Sequence, residues 1–319
     1  MKIGIQLHAD RGVDAVIEEA RRADAQGFDS IWLSDHLMSP SGQDSPEGPL
    51  DYFVLMTALG AVTQRVRLAW GMLNVSFRPP AVLAKMLSTL DQITHGRVIA
   101  TLGSGWFKEE YIAYDLPLID DHDERAEYAR EVVALLKELW THPTPERVTF
   151  EGRYLHVRNL PFNPAPFQKP HPPIWFGGDS DATLETVKQL CDGWVPLRTA
   201  NREALSQVMA APDWPKRPMT IAKSVRIFVA ETYDAAIEEA RRDYESPPLR
   251  RTPPPESFEA FVAREVVGTP EQCLARIAEI ESWGVNYLRV NFRSEAAQER
   301  VARLLLPRLS QAPEALATG

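Results

Sequence analysis

The chain has little cysteine and no long apolar run. Its 319 residues include only Cys191 and Cys273. These are too few for a disulfide framework and too far apart for a C-x-x-C metal pair, so buried free thiols in a reducing compartment are expected. No apolar stretch approaches the length of a bilayer span, so no membrane partner is expected. The segment Lys2 to Leu7 reads directly as a strand without a leader pattern, which points to the cytoplasm. Positive charge is outnumbered, with 35 Lys and Arg against 44 Asp and Glu. A formal net charge of −9 argues against a general nucleic-acid binder, which needs a basic face to meet phosphates. Absent motifs narrow the chemistry further. No H-E-x-x-H pair or carboxylate cluster supports a metal, no G-x-S-x-G elbow supports a serine hydrolase, and no Walker A loop occurs. A metal-dependent barrel hydrolase stays as a minor alternative that metal analysis would decide.

What the chain does have is regular alternation of strand and helix patterns. Strand patterns run over 3–7, 30–33, 66–71, 96–102, 174–176, 193–197, 220–230 and 286–290. Between them lie helical stripes at 13–25, 51–63, 80–93, 123–140, 182–190, 234–244, 270–283 and 296–309. Eight such units predict an α/β fold, a (β/α)8 barrel with insertions. A doubly wound open sheet is the alternative, but the first turn, His8-Ala9-Asp10-Arg11-Gly12, lacks G-x-G-x-x-G. One domain over 1–319 is expected. Insertion loops are expected at 144–173, with a hairpin turning at Glu151-Gly152, and at 244–257, with a frayed tail at 311–319.

In such a barrel the chemistry sits at the C-terminal ends of the strands. Those ends offer Gln6, His8 and Asp10; Ser34, Asp35 and His36; Gly71, Met72, Asn74 and Ser76; Gly103, Ser104, Gly105 and Trp106; Gly177, Gly178, Asp179 and Ser180; Trp194 and Arg198; and Asn291 and Arg293. The turn Gly177 to Ser180 ends an apolar strand and opens a helix. It is either an anion site built on backbone N–H groups, or an ordinary turn with Ser180 as N-cap. His36 is the candidate acid–base group, since imidazole both gives and takes a proton near neutrality. Asp35 is a candidate to fix its tautomer, although adjacent strand residues point to opposite faces. Glu109 and Glu110 are expected to serve a helix dipole, and His95, His122 and His142 to serve turns and helix ends. Trp32, Trp70, Trp106, Trp175 and Trp194 either wall a flat ligand or plug the barrel.

Several segments in order resemble one family. They are Gly27 to His36 (GFDSIWLSDH), Phe77 to Lys85 (FRPPAVLAK), Thr89-Leu90-Asp91, Gly96-Arg97, Gly103-Ser104-Gly105-Trp106 with Glu110 following, Asn163 to Pro166, Gln168 to Gly178, Asp192-Gly193-Trp194 and Gly268 to Glu271. On these segments the chain resembles the luciferase-like flavin and deazaflavin oxidoreductases. The resemblance implies a barrel that binds coenzyme F420 or FMN and performs two-electron redox chemistry on a small organic substrate. It places the cofactor phosphate at Gly177-Gly178-Asp179-Ser180 and a non-prolyl cis peptide at Gly71-Met72. Asn74 and Gly103 to Trp106 would line the cofactor, and His36 with Asp35 would be catalytic. His8, Trp32 and Trp194 are expected to line the substrate pocket. Asp35-His36 after a tryptophan-bearing strand favours F420, with a reduced-FMN monooxygenase using O2 as the alternative. A non-catalytic flavin-binding subunit is the second alternative. Trp106 stands where sugar-phosphate dehydrogenases of this kind carry an acid, which implies a fairly apolar substrate. The resemblance further implies a homodimer served by a flavin or F420 reductase.

Overall fold

A computed structural model describes residues 1–9, 11–40, 42, 49–246 and 257–310. Eight parallel barrel strands follow in order. They are Lys2–Gln6, Ser30–Leu33, a third strand in two pieces (Arg67–Trp70 and Leu73–Asn74), Ala100–Gly103, Ile174–Gly177, Gly193–Val195, Thr220–Val225 and Tyr287–Asn291. Each pairs with its neighbour in sequence, and the eighth pairs with the first along Lys2↔Tyr287 to Gln6↔Asn291. The third strand closes the ring. Its first piece pairs with strand two from Ser30↔Arg67 to Leu33↔Trp70, and its second with strand four at Leu73↔Leu102 and Asn74↔Gly103. The open-sheet alternative is thereby excluded, because the barrel closes on itself.

Apolar residues fill two layers. The larger one lies between strands and surrounding helices, where Leu59, Leu83, Leu87, Val133, Leu136 and Val187 meet the outer strand faces. The inner layer fills the barrel itself with Trp32, Ala69, Ile99, Trp175, Val195, Ala222 and Tyr287. The Trp32 and Trp175 rings stand 5.9 Å apart, and Trp175 and Tyr287 5.1 Å. Trp32 Nε1 donates to Ser30 Oγ at 2.6 Å, so the indole's one donor is satisfied inside. This aromatic plug is a floor, and it forces any ligand to sit above it.

The structure departs from the sequence reading in several places. The expected strand 220–230 breaks at Arg226. Its second half, Ile227–Val229, leaves the barrel and pairs in parallel with Val266–Gly268, a strand not expected. The stretch after Trp106 holds a helix, Lys108–Ala113, and helices Arg202–Met209 and Phe258–Arg264 were likewise unforeseen. The 144–173 insertion contains the expected hairpin, Val148–Glu151 with His156–Leu160, its turn beginning at Gly152. Of the 244–257 loop, helix Tyr233–Glu245 takes the start and Ser257 caps the next helix. Residues 247–256 and the 311–319 tail lie outside the described residues, as do Asp10 and most of 41–48. No helix among the described residues is long and apolar enough to cross a membrane.

Candidate functional site

A cavity of about 1050 Å3 opens over the C-terminal strand ends. It brings together most of the residues singled out from sequence: Asp35 and His36, Gly71, Met72 and Asn74, Gly103 to Trp106, and Gly177 to Ser180. Three expected pocket residues are not on its wall. Trp32 belongs to the buried plug below. Trp194 is buried, and its Nε1 donates to the Gly178 carbonyl at 2.8 Å, bracing the diglycine turn from behind. His8 pairs through Nε2 with Asn291 Oδ1 at 2.9 Å, and Asn291, not His8, faces the cavity. His8 and Trp194 turn away from the mouth and Trp32 lies too deep, because strand position reveals neither the side nor the depth at which a side chain meets the cavity.

His36 does not use Asp35. Its Nδ1 lies 3.1 Å from Glu110 Oε1 and 3.3 Å from Oε2, across 74 residues of chain. Glu110 is almost fully buried and also accepts from the Leu37 N–H at 2.9 Å. Glu110 is therefore a partner of His36, correcting its expected duty at a helix dipole, while Glu109 stays exposed. A carboxylate at Nδ1 favours the tautomer with the proton there and leaves Nε2 as the ring's acceptor. Trp106 meets the imidazole edge-on with ring centres 5.5 Å apart and remains 56% exposed.

Asp35 is committed elsewhere. Its two oxygens accept from Arg78 Nη1 at 2.9 Å and Nη2 at 3.0 Å, and Oδ2 also accepts from the Asn74 N–H at 2.9 Å. Burial pushes its carboxyl up to about 6, against the pull of the Arg78 guanidinium. The ion pair locks the backbone of Asn74, whose side chain exchanges hydrogen bonds with the Tyr111 hydroxyl at 2.7 and 3.0 Å. Burial raises Tyr111 above its ordinary range, so the phenol keeps its proton. Arg78 and Tyr111 were missed as site residues. Arg78 sat inside a matching segment, and only its tertiary position gives it this role.

The peptide between Gly71 and Met72 is cis. The Met72 side chain projects between strands four and five: a Cβ on Gly103 would lie 2.9 Å from Met72 Cβ, and one on Gly177 2.7 Å from its Cγ. These two glycines make room for a methionine. Gly105 is needed for a different reason, since its φ is +79° and a Cβ there would lie 2.1 Å from the Tyr111 hydroxyl. At the diglycine turn Ser180 is indeed the N-cap, its Oγ accepting from the Thr183 N–H at 3.3 Å. That leaves the earlier N–H groups of helix Asp181–Leu190 as the free end of its dipole. Asp179 accepts from the Leu197 N–H at 3.0 Å and ties the turn to the loop after strand six. Burial raises its carboxyl.

The remaining wall, from strands six to eight, carries Arg198, Arg226, Arg264 and Arg293. Arg226 and Arg264 were hidden by the unforeseen strand break and helix. Among the described residues no group of three His, Cys, Asp or Glu side chains is placed to hold a metal.

Comparison with known proteins agrees with this architecture. The luciferase-like monooxygenase family model matches residues 1–287. An FMNH2-dependent dimethylsulfone monooxygenase of Pseudomonas putida is 31% identical over 173 residues, which is 54% of this chain and 46% of that protein. The alignment thus spans less than half of that relative. An F420-dependent glucose-6-phosphate dehydrogenase of Microbacterium testaceum is 27% identical over 252 residues, covering 76% of this chain and 72% of that protein. The crystal structure of monooxygenase RslO1 from Streptomyces bottropensis superposes with a TM-score of 0.79 at 24% identity, over 97% of this chain and all of that one. With a closed barrel, a cavity over its strand ends and a family match along nine-tenths of its length, the chain belongs to the luciferase-like monooxygenase family.

Proposed function

We propose that the protein is an oxidoreductase that seats a flavin-type cofactor over the aromatic plug and uses His36 to handle a proton. The observation that carries this reading is one cavity shared by the His36–Glu110 pair, Asn74 and the diglycine turn. Its volume of about 1050 Å3 lies at the upper end of the usual range for ligand pockets, enough for a tricyclic ring and a substrate together. The helix end after Ser180 would take the cofactor phosphate, with Gly178 and Asp179 shaping the approach. Gly71, Met72 and Asn74 would back the ring, Gly103 to Trp106 would flank it, and His36 Nε2 would hold the mobile proton. When bound, F420 supplies hydride transfer, and reduced FMN supplies reaction with O2. F420 is favoured by the Asp35-His36 motif and by the relative that aligns over most of this chain. FMN is supported by the dimethylsulfone monooxygenase.

A UV–visible titration with each cofactor tests the reading. Binding of F420 with hydride-transfer turnover is expected. Tight FMN binding with oxygen-dependent turnover would reverse the order, and binding of neither would sink the proposal. The role of Glu110 has its own check. Glu110→Gln is expected to lower turnover about tenfold or more, the worth of one charge-assisted hydrogen bond, with cofactor affinity kept. In a His36→Ala background it should lower turnover no further, because it acts through His36.

One domain over the whole chain, a cytoplasmic setting, a separate flavin or F420 reductase and a homodimer complete the proposal. For the dimer, helices Tyr52–Val62 and Pro80–Ile93 present an outer groove lined by Phe53, Val82, Met86 and Ile93. Val54 and Val82 are exposed beside it. A second copy packed there would bury this apolar face. Val82→Glu is expected to convert the dimer to a monomer by light scattering; an unchanged mass would place the interface elsewhere.

A further inference from the structure

The wall built by strands six to eight has no part in the reading above, yet it carries most of the cavity's charge. Arg198 follows strand six, Arg226 sits at the break of strand seven, Arg264 ends helix Phe258–Arg264, and Arg293 follows strand eight. Two buried carboxylates serve all four. Glu265 pairs with Arg198 and with Arg264 Nε at 3.1 Å, and its other oxygen accepts from the Arg226 N–H at 2.6 Å. Asp243 pairs with both Arg226 and Arg293. A guanidinium has five N–H donors in a planar fork, so sharing Glu265 leaves Arg198 and Arg264 with donors beyond that contact. Behind the wall Lys223 is buried and donates to the Arg198 carbonyl at 3.3 Å. Glu245 is the further acid on the cavity lining here. Arg289 of strand eight lines the cavity as well, so among the described residues six cations stand here against three carboxylates.

We infer that this arginine wall binds an oxyanion of the substrate, a carboxylate or phosphate, opposite the His36 side of the mouth. The inference rests on the proposed function, because it presumes the cofactor phosphate at the strand-five turn. Two observations support it beyond charge. The wall faces the same cavity as His36, and the circular strand order sets strands six to eight across from strands two to four. Guanidinium forks also match oxyanions in bidentate geometry. Burial lowers Arg198 to about 10 and Lys223 to about 8, so both remain largely protonated at neutral pH, and a bound anion would repay their desolvation. The apolar substrate expected from Trp106 is thereby revised. The molecule would have an apolar reacting part near Trp106 and an anionic end at the wall.

Calorimetric titration with inorganic phosphate tests this, on the free protein and on protein saturated with whichever of FMN or F420 binds. Wild type is expected to bind phosphate in both forms. Arg198→Gln and Arg264→Gln are each expected to weaken that binding about tenfold or more, with cofactor affinity unchanged and Arg198→Lys recovering part of the loss. Equal phosphate affinity in wild type and both glutamine variants would overturn the inference. So would variants that weaken FMN but not riboflavin, because the wall would then hold the cofactor's own phosphate. If a variant does not fold, wild type alone decides: phosphate should protect Arg198 and Arg264 from phenylglyoxal, read by mass spectrometry, and no protection overturns it. Failure of both cofactors to bind would refute the proposed function and still leave the phosphate titration of the free protein readable.

Discussion

His36→Ala is expected to lower turnover by about 10²- to 10⁴-fold, the usual worth of a positioned acid–base group, while leaving cofactor affinity within about twofold. The asymmetry follows from the site. His36 contributes one imidazole, while the surfaces proposed to hold the cofactor are backbone turns, Met72, Asn74 and the glycine segments. Removing the ring leaves those surfaces in place, and Glu110 keeps its bond to the Leu37 N–H. The loss should fall on kcat, since a proton held at Nε2 matters in the transition state more than in binding. Rates equal to wild type would remove His36 from the mechanism, and a parallel collapse of cofactor binding would make it a structural residue.

Asp35→Ala is expected to cost about 3–5 kcal/mol of stability, measured by urea unfolding. The substitution leaves the Arg78 guanidinium with Asp51 Oδ2 at 3.5 Å, while the Arg78 side chain is only 11% exposed. It also leaves the buried Asn74 N–H without its acceptor. Asp35→Asn keeps an acceptor for Asn74 and should cost less. The pH dependence has a definite sign. Because burial raises Asp35 from 3.8 to about 6, the folded protein holds this proton more tightly than the unfolded chain. Its stabilising contribution is complete below the ordinary value and is lost as pH rises through about 6. The stability difference between wild type and Asp35→Asn should therefore shrink from pH 4 to 6 and flatten above. A difference that grows over that window would show that the Arg78 pair, not burial, dominates.

Much of the barrel was legible because local patterns and global architecture agree. Strands such as Ser30–Leu33 and Ile174–Gly177 lie between helices with recognisable starts, and the strand ends gathered His36, Asn74 and the diglycine turn as expected. The failures have physical causes. Val225-Arg226-Ile227 reads as uninterrupted strand, and only the competing partner Val266–Gly268 pulls its second half away. Helix Lys108–Ala113 has six residues and no side-chain cap, too short to leave a period. Glu110 meets His36 through a contact spanning 74 positions, which no spacing rule contains. Trp32 points into the barrel as expected but lies too deep, in the plug, while Trp194 packs on the outer side of its strand. Burial of a large ring beneath the mouth competes with exposure at it, and here packing wins.

The departure of strand seven at Arg226 separates two kinds of work within one chain. The staves proposed to seat the cofactor ring are shared by the whole cylinder, so a change in any of them strains its neighbours. The bracket formed by Ile227–Val229 and Val266–Gly268 hangs outside that hoop and carries two of the wall's guanidiniums at its margins. If the wall selects substrates as inferred, drift in the bracket would retune which molecules are admitted without disturbing the proposed redox site, an arrangement suited to lineages that keep an engine and change its fuel.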